Sequence, residues 1–561
     1  MSVSAARGRR FAMPGAILLY VILYAFTVEE KTGDTTVYAD DILRYFQGTA
    51  GNRTLWEFGH LLWRPLGFFL WRAGHSALSP WFHGSAVLEI TAVLFVLCFL
   101  SGMALVPLCY TLCGRLGIQN QHAWAITAGL LLSATVLNYT HSGSAYNPGL
   151  ALNLGGQILL LDAAARRKHS TARAIASGVL LALSVAIWFP YVLSLPAAFL
   201  IGWFGGAAGR GRIRPLCISL VSTSAAGFIL FAIGGWLAGI TSLALLAEWI
   251  SGSAHGVHQG RQFIRLPTGI TRTFFYFGDD GLLVKRFVFG DPYAPVRWYD
   301  LLTAGLWKVV LTFASLTALC WSLVRRREGW SGLAVMITGF APTLLFAVFL
   351  FETSEPARYE TLYPALIAAL CASLTLPTPA PNVRRWMAVF LAAMIAVNLY
   401  AFGWELRGAA AQASARVKLI QPRIENRGVA FLVSFRDPLS TYFQRDPFVA
   451  EYRQHSLPFF HVIEPGSDHV PTWRRDAACG VLQTWKKGGD AWLSVRLLAS
   501  KPKPEWNWAE HDDDRVHWTD LPAFFRQFET DAATGEEDGF VRLAPTARNR
   551  DLLEDFCRRT R

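Results

Sequence analysis

The sequence predicts a polytopic α-helical membrane protein with about eleven transmembrane helices and a small C-terminal α/β extracytoplasmic domain. Three observations predict it. Of 561 residues, 53% are hydrophobic and only 16% charged, and the mean hydropathy of +0.30 is too high for an ordinary soluble enzyme. Apolar runs of membrane-spanning length recur through residues 1–403, after which the composition turns polar. The formal charge of +12 is also distributed as a topology signal. From Trp404 onward 23 Lys and Arg balance 23 Asp and Glu, so the excess lies in short links between apolar runs. That distribution argues against a nucleic-acid partner.

A helix needs about 20 apolar residues to cross the hydrocarbon. Spans are predicted at 11–28, 86–112, 123–137, 149–164, 174–189, 191–204, 216–240, 301–324, 333–351, 361–376 and 386–402. The first follows Arg7, Arg9 and Arg10 and has no small-residue cleavage site after it, so it reads as an uncleaved helix rather than a signal peptide. Alternate links carry Arg115, Arg166/Arg167/Lys168/Arg173, Arg210/Arg212/Arg214, Arg325/Arg326/Arg327 and Arg384/Arg385, with almost no acids. The positive-inside rule makes these links and the N-terminus cytoplasmic. Pro190 divides two short apolar runs whose far ends, near Arg173 and Arg210, are both basic. A re-entering hairpin satisfies that pattern and a single crossing does not.

The outer side then receives loops 29–85 and 241–300, short links 138–148 and 352–360, and the domain 404–561. In the first loop, residues 55–71 are aromatic and apolar but broken by Arg64 and Pro65, which suits a segment lying along the membrane surface. Runs such as 429–433 and 491–495 read as strands of the tail domain. Six of the eight cysteines lie in or beside apolar runs, where packing is their expected role. Cys479 and Cys557, alone in the polar tail, can pair if that tail occupies an oxidising compartment.

Chemistry is expected in the outer loops. Asp40 and Asp41 lie about a dozen residues beyond the first span, and a carboxylate there could deprotonate an acceptor hydroxyl. The alternative is a cap for a helix beginning near Ile42. Arg358, with Tyr359, sits on a short outer link among Glu352, Glu355 and Glu360, and could hold a phosphate or pair with its neighbours. His60, Arg64, Arg261 and Arg265 are further phosphate-binding candidates, and Arg272, Lys285 and Arg286 lie in the same second loop. Glu89, near the outer end of the second span, is expected to snorkel. No Walker A, Rossmann glycine or His-Glu-x-x-His pattern occurs in the basic links. No cofactor or metal ligand set is specified, and a divalent metal stays open.

This constellation resembles the GT-C superfamily of integral-membrane glycosyltransferases, in its protein-mannosyltransferase and lipid A aminoarabinose-transferase branch. The stretch from Ala357-Arg358-Tyr359 to Pro364-Ala365-Leu366 looks like the segment opening a late helix in that branch. His60-Leu61-Leu62-Trp63-Arg64-Pro65-Leu66 is a looser match to its first-loop His-Pro-Pro-Leu-Tyr stretch, without the double proline. The resemblance implies inverting transfer from a polyprenyl-phosphate sugar to a glycan, lipid or protein acceptor, on the outer face of a bacterial inner membrane. It assigns the base to Asp40 or Asp41, with Asp40 favoured, and the phosphate to Arg358. The rivals are a flippase for a lipid-linked glycan and a non-catalytic envelope scaffold; the scarcity of charge at mid-span disfavours coupled transport.

Overall fold

The computed structural model describes residues 3–28, 34–82, 84–118, 120–165, 170–205, 213–253, 266–349, 356–376, 381–424, 428–433, 460–463, 473–502, 517–534 and 539–558. The chain forms two compact units. One comprises Met1–Tyr276 and Lys308–Trp404, the other Phe277–Trp307 and Glu405–Arg561.

The first unit is helical. Its elements are α1 (Val3–Phe26), α2 (Thr35–Phe46), α3 (Trp63–Leu78), α4 (Ala86–Arg115), α5 (Asn120–Leu131), α6 (Ala134–Thr140), α7 (Tyr146–Ala164) and α8 (Ser170–Ile187). They continue with α9 (Leu195–Gly205), α10 (Ile213–Leu237), α11 (Leu243–Gly252), α12 (Leu266–Phe274), α13 (Leu306–Val324), α14 (Trp330–Phe349), α15 (Tyr363–Thr375) and α16 (Pro381–Tyr400). Among the described residues six helices are long and apolar enough to cross a membrane, or seven if α5 and α6, bent by 62° at their break, form one span. The predicted count of eleven included shorter pieces: α15 has 13 residues and α9 has 11.

One side chain ties the break between α5 and α6 to the end of α12. Asn398 of α16 donates to Leu132 O and Phe274 O, each at 2.7 Å, and accepts from Tyr276 N at 2.8 Å. Irregular backbone inside a bundle requires such partners.

The segment around Pro190 is the predicted hairpin. At one end of α7, Gly149 faces both Tyr191 and Ser184; at the other, Gly202 and Gly205 face Leu160 and Leu161. The chain therefore climbs α7 along α8 and returns along α9. A 3-10 turn, Phe189–Ser194, makes the reversal, with Pro190 in its first turn where a missing N–H costs nothing.

Small residues let α8 and α10 approach closely. A Cβ on Gly178 would lie 2.6 Å from Ser219 O and 2.8 Å from Thr223 N, both backbone atoms that cannot step aside. Gly178→Val is expected to cost about 1–3 kcal/mol, measured as a lower Tm in detergent.

The second unit holds a five-stranded sheet of order β2-β1-β3-β5-β4, with β1 Val429–Val433, β2 Phe460–Ile463, β3 Ala491–Ser494, β4 Thr530–Thr534 and β5 Phe540–Leu543. Strand β1 runs parallel to β2 and β3, and β5 runs antiparallel to β3 and β4. Phe431, Ala478, Leu493, Trp518, Phe525 and Leu553 fill its core, and Tyr293 from the second loop packs against them. Helices α17 (Trp473–Lys486) and α18 (Ala547–Arg558) are joined by the Cys479–Cys557 disulfide, with Cα atoms 5.1 Å apart. Closing a loop of 78 residues restricts the unfolded chain. Cys479→Ser should therefore destabilise this unit by about 2–5 kcal/mol, read as a lower midpoint in urea monitored at its tryptophans.

Candidate active site

Helix α2 begins at Thr35, not near Ile42, so Asp40 and Asp41 lie inside it and cap nothing. Its buried stripe is Thr35, Tyr38, Ala39, Ile42 and Leu43. Asp34 precedes the helix, and its side chain makes no capping bond. Asp34, Tyr38 and Asp41 are separated by four and three residues and so share one face. That face turns inward.

The adjacent acids part company. Asp41, with 14% of its side chain exposed, pairs with Arg64 Nη2 at 3.1 Å. Asp40, 34% exposed, pairs with Arg44 one turn on, at 3.9 Å. Burial raises the Asp40 carboxyl above the ordinary aspartate range against the smaller opposing pull of Arg44. Burial likewise raises Asp41, opposed by Arg64.

His60 enters this cluster from the turn before α3, and Arg64 from the first turn of α3. Local anchors hold that turn: Leu62 N donates to Ala186 O at 2.9 Å, and Trp63 Nε1 donates to Gly143 O at 2.9 Å. Gly143 N in turn donates to Thr35 Oγ1 at 2.8 Å, tying the start of α2 to the same point. Arg64 is buried; besides Asp41 it reaches Glu57 Oε2 at 3.6 Å and donates to Thr54 O at 2.6 Å. His60 is buried between Glu57 Oε2, 2.7 Å from Nδ1, and the Tyr38 hydroxyl, 2.9 Å from Nε2. Both residues were expected to meet a phosphate. In the structure they contact carboxylates, a hydroxyl and a carbonyl of the protein.

The polar contacts continue away from the pair. Tyr38 and Tyr146 each donate to Asp34 Oδ2 at 3.2 Å. Tyr191 donates to Tyr146 O at 3.1 Å and to Glu360 Oε2 at 3.3 Å. A connected string therefore runs from Asp41 through Arg64, Glu57, His60, Tyr38, Asp34, Tyr146 and Tyr191 to Glu360. Burial holds the Glu360 carboxyl well above the usual range.

Glu360 belongs to the 3-10 turn Pro356–Leu362, which also carries half-buried Arg358 and buried Tyr359. The string thus ends two residues from the predicted phosphate-binding arginine. Thr361 Oγ1 steadies the turn by donating to Arg358 O at 3.1 Å. Arg261 and Arg265 lie outside the described residues. Arg286 lies in the second unit, where it pairs with Asp291 at 3.0 Å.

Glu89 does not snorkel. It is fully buried and accepts from Trp71 Nε1 at 2.7 Å, with His75 Nδ1 at 2.6 Å. The first loop folds over the end of α4 and brings those partners, so the carboxylate need not reach water. Among the described residues no three His, Cys, Asp or Glu side chains converge as a metal site requires.

Sequence reasoning missed Asp34, Glu57, Tyr38, Tyr146 and Tyr191. The Asp34-Tyr38-Asp41 spacing was a usable signal once α2 is started at Thr35. The two later tyrosines had none, because only the folded bundle brings them near the first loop.

The fold is that of a multi-pass membrane protein. Among solved structures, ArnT from Cupriavidus metallidurans bound to undecaprenyl phosphate matches with a TM-score of 0.50 at 12% identity, over 97% of this chain and 99% of that one. The apo oligosaccharyltransferase from Archaeoglobus fulgidus matches with a TM-score of 0.44 at 13% identity, over 96% of this chain and 75% of that one. No protein-family model matches the chain, and no curated protein sequence does.

Proposed function

We propose that the protein is a membrane glycosyltransferase that moves a sugar from a polyprenyl-phosphate carrier to an envelope or secreted acceptor on the outer face of the membrane. The observation that carries this reading is the division of labour on α2. One acid is half-exposed and weakly paired, while its neighbour is locked to a buried arginine. The likeness to ArnT, whose structure holds undecaprenyl phosphate, supports a lipid-linked donor.

In this reaction the acceptor hydroxyl gives its proton to the Asp40 carboxylate as its oxygen bonds to the sugar C1. The C1–O bond to phosphate breaks on the opposite face, which inverts the anomeric centre. Polyprenyl phosphate departs with the bonding pair, and Arg358 offsets the charge it gains. Asp41 holds the first loop in place through Arg64. The disulfide in the second unit fits an oxidising, extracytoplasmic setting for that unit.

The test supplies purified protein in detergent with a polyprenyl-phosphate-linked sugar and an envelope lipid extract. It follows release of polyprenyl phosphate and the anomer formed. Release with an inverted anomer supports the reading; retention of configuration, or no release with any polyprenyl-linked sugar supplied, overturns it.

A further inference from the structure

A cavity of about 310 Å³ opens between α5, α13, α15 and α16, away from the α2 cluster. Its walls are apolar along most of their length, including Ala125, Gly129, Leu319, Leu370, Ala388 and Leu391. The basic side chains His122 and Arg384 line one end, with Ser373, while Thr312, Ser315 and Tyr363 are the polar members of the wall beyond it. From Tyr363 to Leu374 the groove follows α15 for about 16 Å at the helical rise of 1.5 Å per residue. A slot of that length with a cation at its mouth fits one hydrocarbon chain whose headgroup is an anion.

The charged end identifies the leaflet. His122 and Arg384 open α5 and α16, beside the basic links that the positive-inside rule places in the cytoplasm. Exposed Trp321 and Trp386 flank it at 63% and 47%, as indoles at a headgroup level do. At the other end, the Tyr363 hydroxyl donates to Ser133 Oγ at 2.7 Å, at the break between α5 and α6. That end is nearer the α2 cluster, because Gly143, just past α6, donates through its N–H to Thr35 Oγ1. A donor whose phosphate reacts at α2 would therefore present its charge at the wrong end of this groove.

We infer that the groove binds an anionic phospholipid of the cytoplasmic leaflet, with one acyl chain along α15 and α16 and its phosphate at Arg384 and His122. Basic pockets between transmembrane helices on that side select such headgroups. The exposed Arg385 adds to the field at the mouth. This site is separate from the proposed transfer chemistry and stands or falls without it.

Full-length protein in nanodiscs of equal phosphatidylglycerol and phosphatidylethanolamine, analysed by native mass spectrometry, tests it. One phosphatidylglycerol should stay bound per chain in preference to phosphatidylethanolamine. The double variant Arg384→Gln/His122→Gln should lower that retention by about fivefold or more, and Ala388→Trp should block the slot. Equal retention of the two lipids overturns the inference, as does unchanged retention in the charge variant. So does displacement of phosphatidylglycerol by equimolar undecaprenyl phosphate. The charge variant alters exposed or half-exposed side chains, so it reports even if Ala388→Trp does not fold. Donor turnover should be unchanged in it, which separates this site from the α2 cluster.

Discussion

Asp40→Asn is expected to lower sugar transfer by about 10²–10⁴-fold, the usual worth of a positioned general base. The amide keeps the shape of the side chain and removes only its basicity. Because Asp40 is partly exposed and its ion pair with Arg44 is long, at 3.9 Å, the variant should fold and keep its Tm. Asp41→Asn should behave differently, since it breaks a buried pair: some activity survives, and stability falls.

The pH profile makes the assignment sharper. In the proposed reaction the active form is the carboxylate, and burial raises its pKa above the ordinary 3.8. Transfer should therefore fall as pH drops through that raised value, beginning at a higher pH than an unperturbed aspartate would show. Arg44→Gln removes the group that opposes the rise, so the acid limb should move further up. An acid limb that stays put in Arg44→Gln would transfer the role to another group.

Arg64→Met should be the most destabilising substitution in the first loop, at about 3–5 kcal/mol. Arg64 is 4% exposed and is the cation between Asp41 and Glu57. Taking it away leaves the largely buried Asp41 without its cation and Glu57 with His60 as its partner. Thermal unfolding in detergent reads the loss. Adding Asp41→Asn to Arg64→Met should restore part of the stability, because it removes the stranded charge. If the double variant is less stable than Arg64→Met by the full cost of Asp41→Asn, the two residues are not coupled.

The bundle was legible in the sequence because hydrophobic length and basic links both report on the bilayer, and the bilayer imposes them on every crossing. Even the reversal at Pro190 could be read from the arginines at its two ends. What failed was local. Residues 123–137 read as one span because nothing in their composition marks the 62° bend; the side chain that supports the bend, Asn398, is some 260 residues away. Asp40 and Asp41 were found by their position after the first span, but the start of α2 was set too late. The environments of His60 and Arg64 could not be read at all. A lone His and Arg beside tryptophans carry no mark of the carboxylates and hydroxyl that the fold brings to them.

The string from Asp41 to Glu360 has a consequence for how the protein is made. Its first members are close in the chain: His60 and Glu57 are 3 residues apart, and Tyr38 and His60 are 22 apart. Tyr146 reaches Asp34 across 112 residues, and Glu360 reaches Tyr191 across 169. Chains emerge from the ribosome N-terminus first. The acids of the first loop can thus find their arginine and histidine while most of the bundle is still unsynthesised, and are never left waiting for a distant cation. The two tyrosines and Glu360 arrive later as neutral or protonatable groups that extend the network without unbalancing it. Charge is settled early and locally, and late synthesis adds only reach.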